Sequence, residues 1–178
     1  MAYSVELYFD VEFEIKIRHL WDLLNKNNVP SIMQKIGSRP HLALSVLNFI
    51  EEVEIPNIIQ YLVNNHKLFE IEFPAISMIP GKSQTVFLSP SLNVQLIDMQ
   101  HNLYDHLIEK GYSPQKFYIP NQWLPHCTIS KELSINETLE TFRVCEKYSI
   151  IGKAIVTEVG IIEFRPRREL ETCHLNAT

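Results

Sequence analysis

The sequence is poor in cysteine and carries no excess of positive charge. Its three cysteines, Cys127, Cys145 and Cys173, are odd in number and lack any Cys-x-x-Cys spacing, which argues against a disulfide framework and a cysteine-rich zinc site. Sixteen Lys and Arg against 21 Asp and Glu give a formal net charge of -5, the wrong sign for neutralising the phosphates of a duplex. We therefore expect a reduced, cytoplasmic protein that binds no metal and no duplex nucleic acid.

Long apolar runs are also missing. No stretch approaches the roughly twenty apolar residues of a membrane span, and Met1 to Glu6 show no basic start followed by an apolar run, as an export signal would. With 46% apolar residues in 178, the chain can still bury the core of one globular domain or two small lobes. We expect a soluble monomer with no membrane partner.

Short strands alternate with amphipathic helices along the chain. Apolar and polar residues alternate from Tyr3 to Phe9, which predicts a strand of about seven residues. Asp10 suits the N-cap of a helix that ends near Asn27. The same signals predict three more helices, after Pro56, from about 91 to 110, and after a capping box of Ser134 and Glu137. Further strands are predicted over 41–49, 68–79, 85–89 and from Lys153 to Phe164.

The two halves of the chain repeat the order strand, helix, strand, helix, strand. In the first half, Tyr8 lies on a predicted strand 33 residues before His41. In the second half, Phe87 lies on a predicted strand 39 residues before His126. A repeat of this kind predicts two lobes related by a pseudo-twofold axis, with equivalent residues facing each other across one cleft.

Both repeats place a histidine directly after a proline at the start of a β-rich run. Because same-face residues of a strand are about 6.6 Å apart, we expect His126, Thr128 and Ser130 to share a face, where an imidazole and a hydroxyl can meet one phosphate. His41 would supply a second imidazole from the other lobe. Cleaving a phosphodiester without a metal needs one group to take a proton and another to give one, and histidine suits both roles.

The two histidine segments resemble the paired His-x-Thr/Ser-x signatures of the two-histidine (2H) phosphoesterase superfamily. These segments are Pro40 to Ala43 and Trp123 to Ile129. The superfamily includes 2'-5' RNA ligase-like and cyclic phosphodiesterase-like proteins. The resemblance covers nearly the whole chain. It implies one bilobal α+β domain with two pseudo-symmetric halves, about 1–82 and 83–178, whose antiparallel sheets and flanking helices surround a central cleft.

The resemblance also implies a reaction. The chain is expected to hydrolyse a 2',3'-cyclic phosphate, on an RNA terminus or a small nucleotide, to a 2'-phosphate without metal or cofactor, with 2'-5' ligation as the reverse-type reaction. Carried over by position, His126 would activate water, His41 would protonate the leaving oxygen and Thr128 would hold a non-bridging oxygen.

The first motif departs from the family pattern at Ala43, where the family has Thr or Ser. Ser45 keeps a hydroxyl two residues on, and a threonine at position 43 is expected to restore a missing donor. We also expect four residues outside the motif core to bind substrate, the two serines through their hydroxyls and the two aromatic rings by stacking on a base; they are Ser45, Ser130, Tyr8 and Phe87.

Other interpretations stay open at this point. The absence of a hydroxyl at Ala43 would favour a phosphate- or nucleotide-binding protein with little turnover. If neither histidine faced a cleft, the chain would instead be an interaction domain. Cys127 is expected to point into the core, opposite to its neighbours on the strand. The basic cluster of Arg165, Arg167, Arg168 and Lys153 is either a solvated strand end or a feature that steers an RNA end toward the cleft.

Overall fold

The chain folds as a mixture of helices and one antiparallel sheet, which confirms the predicted α+β class. The structure, a computed structural model, describes residues 2–164 and 166–177, so Arg165 of the basic cluster lies outside the described residues. The strands are β1 Ala2–Phe9, β2 His41–Leu47, β3 Phe69–Phe73, β4 Ala75–Ile79, β5 Gln84–Ser89, β6 Cys127–Leu133, β7 Gly152–Phe164 and β8 Arg168–His174. The α-helices are α1 Val11–Lys26, α2 Ile32–Lys35, α3 Ile55–Asn65, α4 Val94–Glu109 and α5 Ile135–Lys147, with 3-10 turns at Glu52–Glu54 and Lys116–Tyr118.

The strand order is β3-β7-β1-β2-β6-β5-β4, and β8 pairs with β7. We call the strands from β3 to β2, with β8, the first arm of the sheet, and β6, β5 and β4 the second arm. Within the described residues one pair joins β2 to β6, Leu42 with Cys127. The first arm contains β7 and β8 from the second half of the chain, and the second arm contains β4 from the first half. The division near residue 82 therefore does not coincide with a division of the sheet.

Local signals place most elements correctly. The Asp10 carboxylate accepts a hydrogen bond from the backbone N–H of Phe13 at the start of α1, and both hydrogen bonds of the capping box are present at the start of α5. Helix α4 begins at Val94, later than predicted, because the Asn93 side chain caps it. The predicted strand over 68–79 is two strands, since Pro74 has no N–H to continue a ladder. Among the described residues no helix is long and apolar enough to cross a membrane.

The two faces of β1 have different surroundings. Val5, Leu7 and Phe9 belong to the main hydrophobic core, and the Phe9 ring packs edge-on against Phe13 of α1 with centroids 4.9 Å apart. The opposite face carries Ser4 and Glu6, which line a cleft in the sheet. Alternation along the strand thus assigns one face to the helices and the other to the cleft.

A β-bulge interrupts β2 directly after the first motif. Ala43 pairs with Glu6 and Ser45 pairs with Val5, which leaves Leu44 as the extra residue. A shift of one residue turns every following side chain to the opposite face. Ser45 is therefore buried on the core side, 2% exposed, and the prediction that it shares the cleft face with His41 is wrong.

The second motif has an equivalent bulge. Thr128 pairs with Phe87 and Ser130 pairs with Val86, so that Ile129 is the extra residue. Ser130 is fully buried and its hydroxyl donates to the Pro30 carbonyl over 2.7 Å. The prediction that Ser130 faces the substrate is therefore also wrong, and the next residue along β6 faces the cleft in its place.

Close packing beneath β1 predicts a measurable loss of stability on substitution of Gly160, the residue paired with Glu6. A Cβ at this position would lie 2.7 Å from Cε2 of Tyr8 and 3.1 Å from the Glu171 carbonyl. We expect Gly160→Ala to lower the free energy of unfolding by about 1–3 kcal/mol, since overpacking forces neighbouring groups to move. Denaturant-induced unfolding measures this change, and an unaltered midpoint would contradict it.

Candidate active site in the cleft of the sheet

A cavity of about 320 Å³ lies where the two arms of the sheet meet. Its size is within the range of small-molecule sites, about 300–1,000 Å³. Both arms contribute to its walls, and so do the segments around α2 and the second 3-10 turn. The polar and charged side chains that line it are Ser4, Glu6, Ser38, His41, Thr85, Tyr118, His126, Thr128, Lys131 and Arg167.

The structure brings the two predicted histidines and Thr128 together in this cleft. The pair that joins the arms is antiparallel, and continuing its register by one residue in each direction sets His41 across from Thr128 and His126 across from Ala43. The Thr128 hydroxyl of the second motif therefore lies beside His41 of the first motif. The hydroxyl that is missing at Ala43 would have lain beside His126.

Both imidazoles are held by the same backbone hydrogen bond. Nδ1 of His41 lies 2.7 Å from the Arg39 carbonyl, and Nδ1 of His126 lies 2.8 Å from the Leu124 carbonyl. A carbonyl oxygen can only accept, so Nδ1 carries a proton in each ring, and the neutral form leaves the lone pair on Nε2. In each motif Nε2 is therefore the ring nitrogen that the backbone does not hold.

The surroundings of His126 favour its neutral form. Burial, followed by the nearby charge of His41, lowers the pKa of His126 below its usual range. The Phe87 ring packs edge-on against the imidazole with centroids 5.2 Å apart, and this ring is 2% exposed. Phe87 therefore covers His126, and its expected role as a base-stacking surface is wrong.

The surroundings of His41 are charged. Oε1 of Glu6 lies 3.4 Å from Nε2 of His41, and the Glu6 side chain is 3% exposed. The other carboxylate oxygen accepts a hydrogen bond from the Tyr8 hydroxyl over 2.9 Å. Sequence reasoning missed Glu6, because a carboxylate on the polar face of an alternating strand is ordinarily exposed to solvent.

Tyr8 is fully buried, so its predicted stacking on a base is wrong. Burial, with smaller effects of the neighbouring Glu6 carboxylate, raises the pKa of Tyr8 far above its usual range. The strand register also changes the expected equivalence between the repeats. Glu6 pairs with Ala43, as Phe87 pairs with Thr128, so Glu6 and not Tyr8 occupies the position that corresponds to Phe87.

The basic cluster divides between surface and cleft. Arg168 pairs with Glu163 over 3.1 Å, and Lys153 pairs with Glu70 over 2.7 Å. Arg167 lines the cleft, where its Nε and Nη2 are buried and, among the described residues, have no hydrogen-bond partner. Buried N–H groups of a guanidinium that lack a partner are suited to binding an anion.

Cys127 lies between His126 and Thr128 and points into the core, as predicted from the alternation of the strand. Burial raises the pKa of its thiol to about 12. A thiol in this state is a packing group and not a nucleophile.

We expect the ring of His126 to be neutral at neutral pH, with its proton on Nδ1, because the Leu124 carbonyl accepts there and burial lowers the pKa of this histidine. Long-range ¹H–¹⁵N NMR spectra of the ring report both properties. On acidification the Nε2 proton should appear only below the usual range of a histidine. The Nε2-protonated tautomer, or a doubly protonated ring at neutral pH, would contradict this expectation.

Comparison with known proteins supports the same fold and family. A model of the "2'-5' RNA ligase superfamily" matches residues 34–166. The chain is similar to E. coli LigT complexed with 3'-AMP, with a TM-score of 0.63 and 12% identity over 97% of each chain. It is also similar to E. coli LigT in apo form, with a TM-score of 0.62 and 13% identity over 98% of this chain and 97% of that one.

A third solved structure, described as a phosphoesterase, gives a TM-score of 0.56 at 14% identity over 98% of this chain and 97% of that one. No curated protein is significantly similar to the chain in sequence. The structural matches show a shared fold, and the family model covers well over half of the sequence. The predicted resemblance is therefore confirmed, and the chain belongs to the 2'-5' RNA ligase superfamily.

Proposed function

We propose that the chain is a metal-independent phosphodiesterase that hydrolyses a 2',3'-cyclic phosphate, on an RNA end or a nucleotide, to a 2'-phosphate. The superfamily supports phosphoesterase or ligase-like chemistry in general terms. The observation that carries the finer proposal is the pair of histidines in one cleft, each with Nδ1 bound to a backbone carbonyl, so that Nε2 is the nitrogen not held by the backbone.

The two histidines differ in the way that acid–base catalysis requires. His126 has a lowered pKa, so its Nε2 holds a lone pair that can take a proton from water. The carboxylate of Glu6 lies 3.4 Å from Nε2 of His41, so the charged form of this imidazole, which can give a proton, has a partner of opposite charge. In the proposed reaction the water oxygen bonds to phosphorus as the bond to the 3' oxygen breaks. His126 takes the water proton, and His41 protonates the 3' oxygen.

The same steps with a 5'-hydroxyl of a second RNA end in place of water give ligation. The hydroxyl oxygen bonds to phosphorus as the bond to the 3' oxygen breaks, which leaves a 2'-5' phosphodiester, and each histidine keeps its role: His126 takes the hydroxyl proton and His41 protonates the 3' oxygen. This reaction requires no group beyond those of the hydrolytic site. The cleft therefore suits both reactions, and the supply of water or of an attacking hydroxyl sets the product.

The phosphate has two donors in the cleft. The hydroxyl of Thr128 lies beside His41 in the register, and the free N–H groups of Arg167 can pair with non-bridging oxygens. Donors aimed at developing charge are the main source of electrostatic stabilisation in such sites. LigT has been crystallised with 3'-AMP and with phosphate, which supports a ligand of this class for the present chain.

The test is turnover of 2',3'-cyclic AMP and of a short RNA with a 2',3'-cyclic phosphate end, in excess EDTA. We expect a 2'-phosphate product, identified by ³¹P NMR, and a bell-shaped dependence of kcat on pH. His41→Gln and His126→Gln should each lower kcat about a hundredfold or more. Activity that is lost on chelation and restored by a divalent ion would contradict the proposal. Binding without turnover would indicate the nucleotide-binding alternative.

Arg167 provides a second prediction with a matched control. Arg167→Met should lower kcat/KM about tenfold to a hundredfold, because hydrogen bonds to a charged group are lost. Arg168→Met is the control, since the neighbouring arginine is exposed and pairs with Glu163. Steady-state kinetics on the cyclic nucleotide compare the two. Equal effects of both variants would show that general charge, and not a contact in the cleft, is responsible.

A further inference from the structure

We propose that Glu6 and Tyr8 are positioning residues that orient His41 and pair with the charged form of its imidazole. This inference rests on the proposed function, because it assigns a purpose to groups around the proposed acid. It also explains why position 43 is alanine in this chain.

Glu6 is a buried carboxylate with few partners. Its side chain is 3% exposed, and a charge removed from water in this way is stable only when it is paired and hydrogen-bonded. The Tyr8 hydroxyl donates to one oxygen over 2.9 Å, and Nε2 of His41 lies 3.4 Å from the other. When His41 is charged, its Nε2 forms an ion pair with Oε1 of Glu6 at 3.4 Å, and its Nδ1 donates to the Arg39 carbonyl. These two contacts together orient the ring.

Tyr8 is held as a permanent donor. Its ring lies against Gly160, where a Cβ would approach to 2.7 Å, and the Arg39 guanidinium lies 4.0 Å from the ring centroid. That guanidinium is itself fixed by Glu14 over 2.6 Å and by Glu158 over 2.9 Å. The phenol therefore cannot turn away, and it directs one oxygen of Glu6 so that the other faces His41.

Ala43 is the cross-strand neighbour of Glu6, and both residues line the cleft. Side chains directly opposite on one face have Cβ atoms about 4.5–5.5 Å apart. A threonine hydroxyl at position 43 would therefore meet the Glu6 carboxylate before it met a phosphate. The small methyl of alanine leaves Glu6 free to contact His41, so we expect a threonine at this position to supply no useful donor to a phosphate while Glu6 is present.

Other ionisable groups also act on this cluster. Tyr118, His126, Lys131 and Arg167 line the same cleft, and Arg39, Arg167 and Glu169 act on Tyr8. The positive groups among them repel a charged His41. In the described part of the chain, Glu6 is the acidic side chain within ion-pair distance of its imidazole. Removing the charge of Glu6 should therefore leave His41 surrounded mainly by positive neighbours.

The principal variant is Glu6→Gln, which keeps the shape and an acceptor for Tyr8 but removes the charge. Tyr8→Phe removes only the donor, and Glu72→Gln on the exposed face of β3 is the matched control. We expect Glu6→Gln to move the alkaline limb of the kcat profile to lower pH and to lower kcat above neutral pH about tenfold, with KM nearly unchanged. The acidic limb, set by His126, should stay in place. Tyr8→Phe should show the same changes to a smaller extent.

A second readout does not require turnover. NMR of the His41 ring nitrogens in ligand-free protein should show a smaller protonated fraction in Glu6→Gln than in wild type at the same pH, and no change in Glu72→Gln. If Glu6→Gln lowers the protonated fraction of His41 but the wild-type protein shows no turnover, the role of Glu6 and Tyr8 is supported and the proposed function is contradicted. Turnover with unchanged spectra and an unchanged alkaline limb in Glu6→Gln would overturn the positioning pair while the proposed function stands.

Position 43 gives an independent comparison. Ala43→Thr should produce no gain in kcat/KM while Glu6 is present, because the new hydroxyl donates to the carboxylate. In the Glu6→Ala background the same threonine should raise kcat/KM severalfold relative to Glu6→Ala. A gain from Ala43→Thr in the otherwise wild-type chain would overturn the proposed relation between Glu6 and Ala43.

Discussion

The antiparallel pairing of Leu42 with Cys127 is the constraint on which the candidate site depends. It joins the two arms of the sheet and sets the histidine of each motif across from the third residue of the other. In the described sheet, β2 and β6 pair at this one position, and a cavity of about 320 Å³ lined by residues of both strands lies beside it. The junction thus brings the two motifs together on the wall of one cavity.

The two motifs share a backbone design and differ in their neighbours. In each, Nδ1 donates to the carbonyl two residues earlier, and a bulge follows the third residue of the motif. The residue opposite that third position is a carboxylate in one arm and a phenyl ring in the other, Glu6 and Phe87. Two identical imidazoles in unlike surroundings can hold different charges at one pH, which is how a pair of like groups divides acid and base roles.

Prediction succeeded where a signal lies within a few consecutive residues. The N-cap at Asp10, the capping box at Ser134 and the inward face of Cys127 all follow from local hydrogen bonding or from alternation along a strand. Prediction failed at Ser45 and Ser130, because no residue type marks the bulges that turn them to the core. It also failed at Tyr8, where an aromatic residue on the cleft side of β1 extends under its neighbours and is completely buried.

Periodicity was enough to predict the α+β class, and the two histidine segments were enough to predict the family; both are confirmed. The same segments select the two histidines that we propose for proton transfer. The charges around those residues could not be found in this way. Glu6 is 35 positions from His41 in the chain, and Arg167 is 41 positions from His126. Glu6 meets His41 because β1 pairs with β2, and Arg167 reaches the cleft because β7 returns from the second half to pair with β1. A short pattern specifies which side chain can exchange a proton, whereas its charge state depends on distance and burial, which exist only once distant strands have packed together.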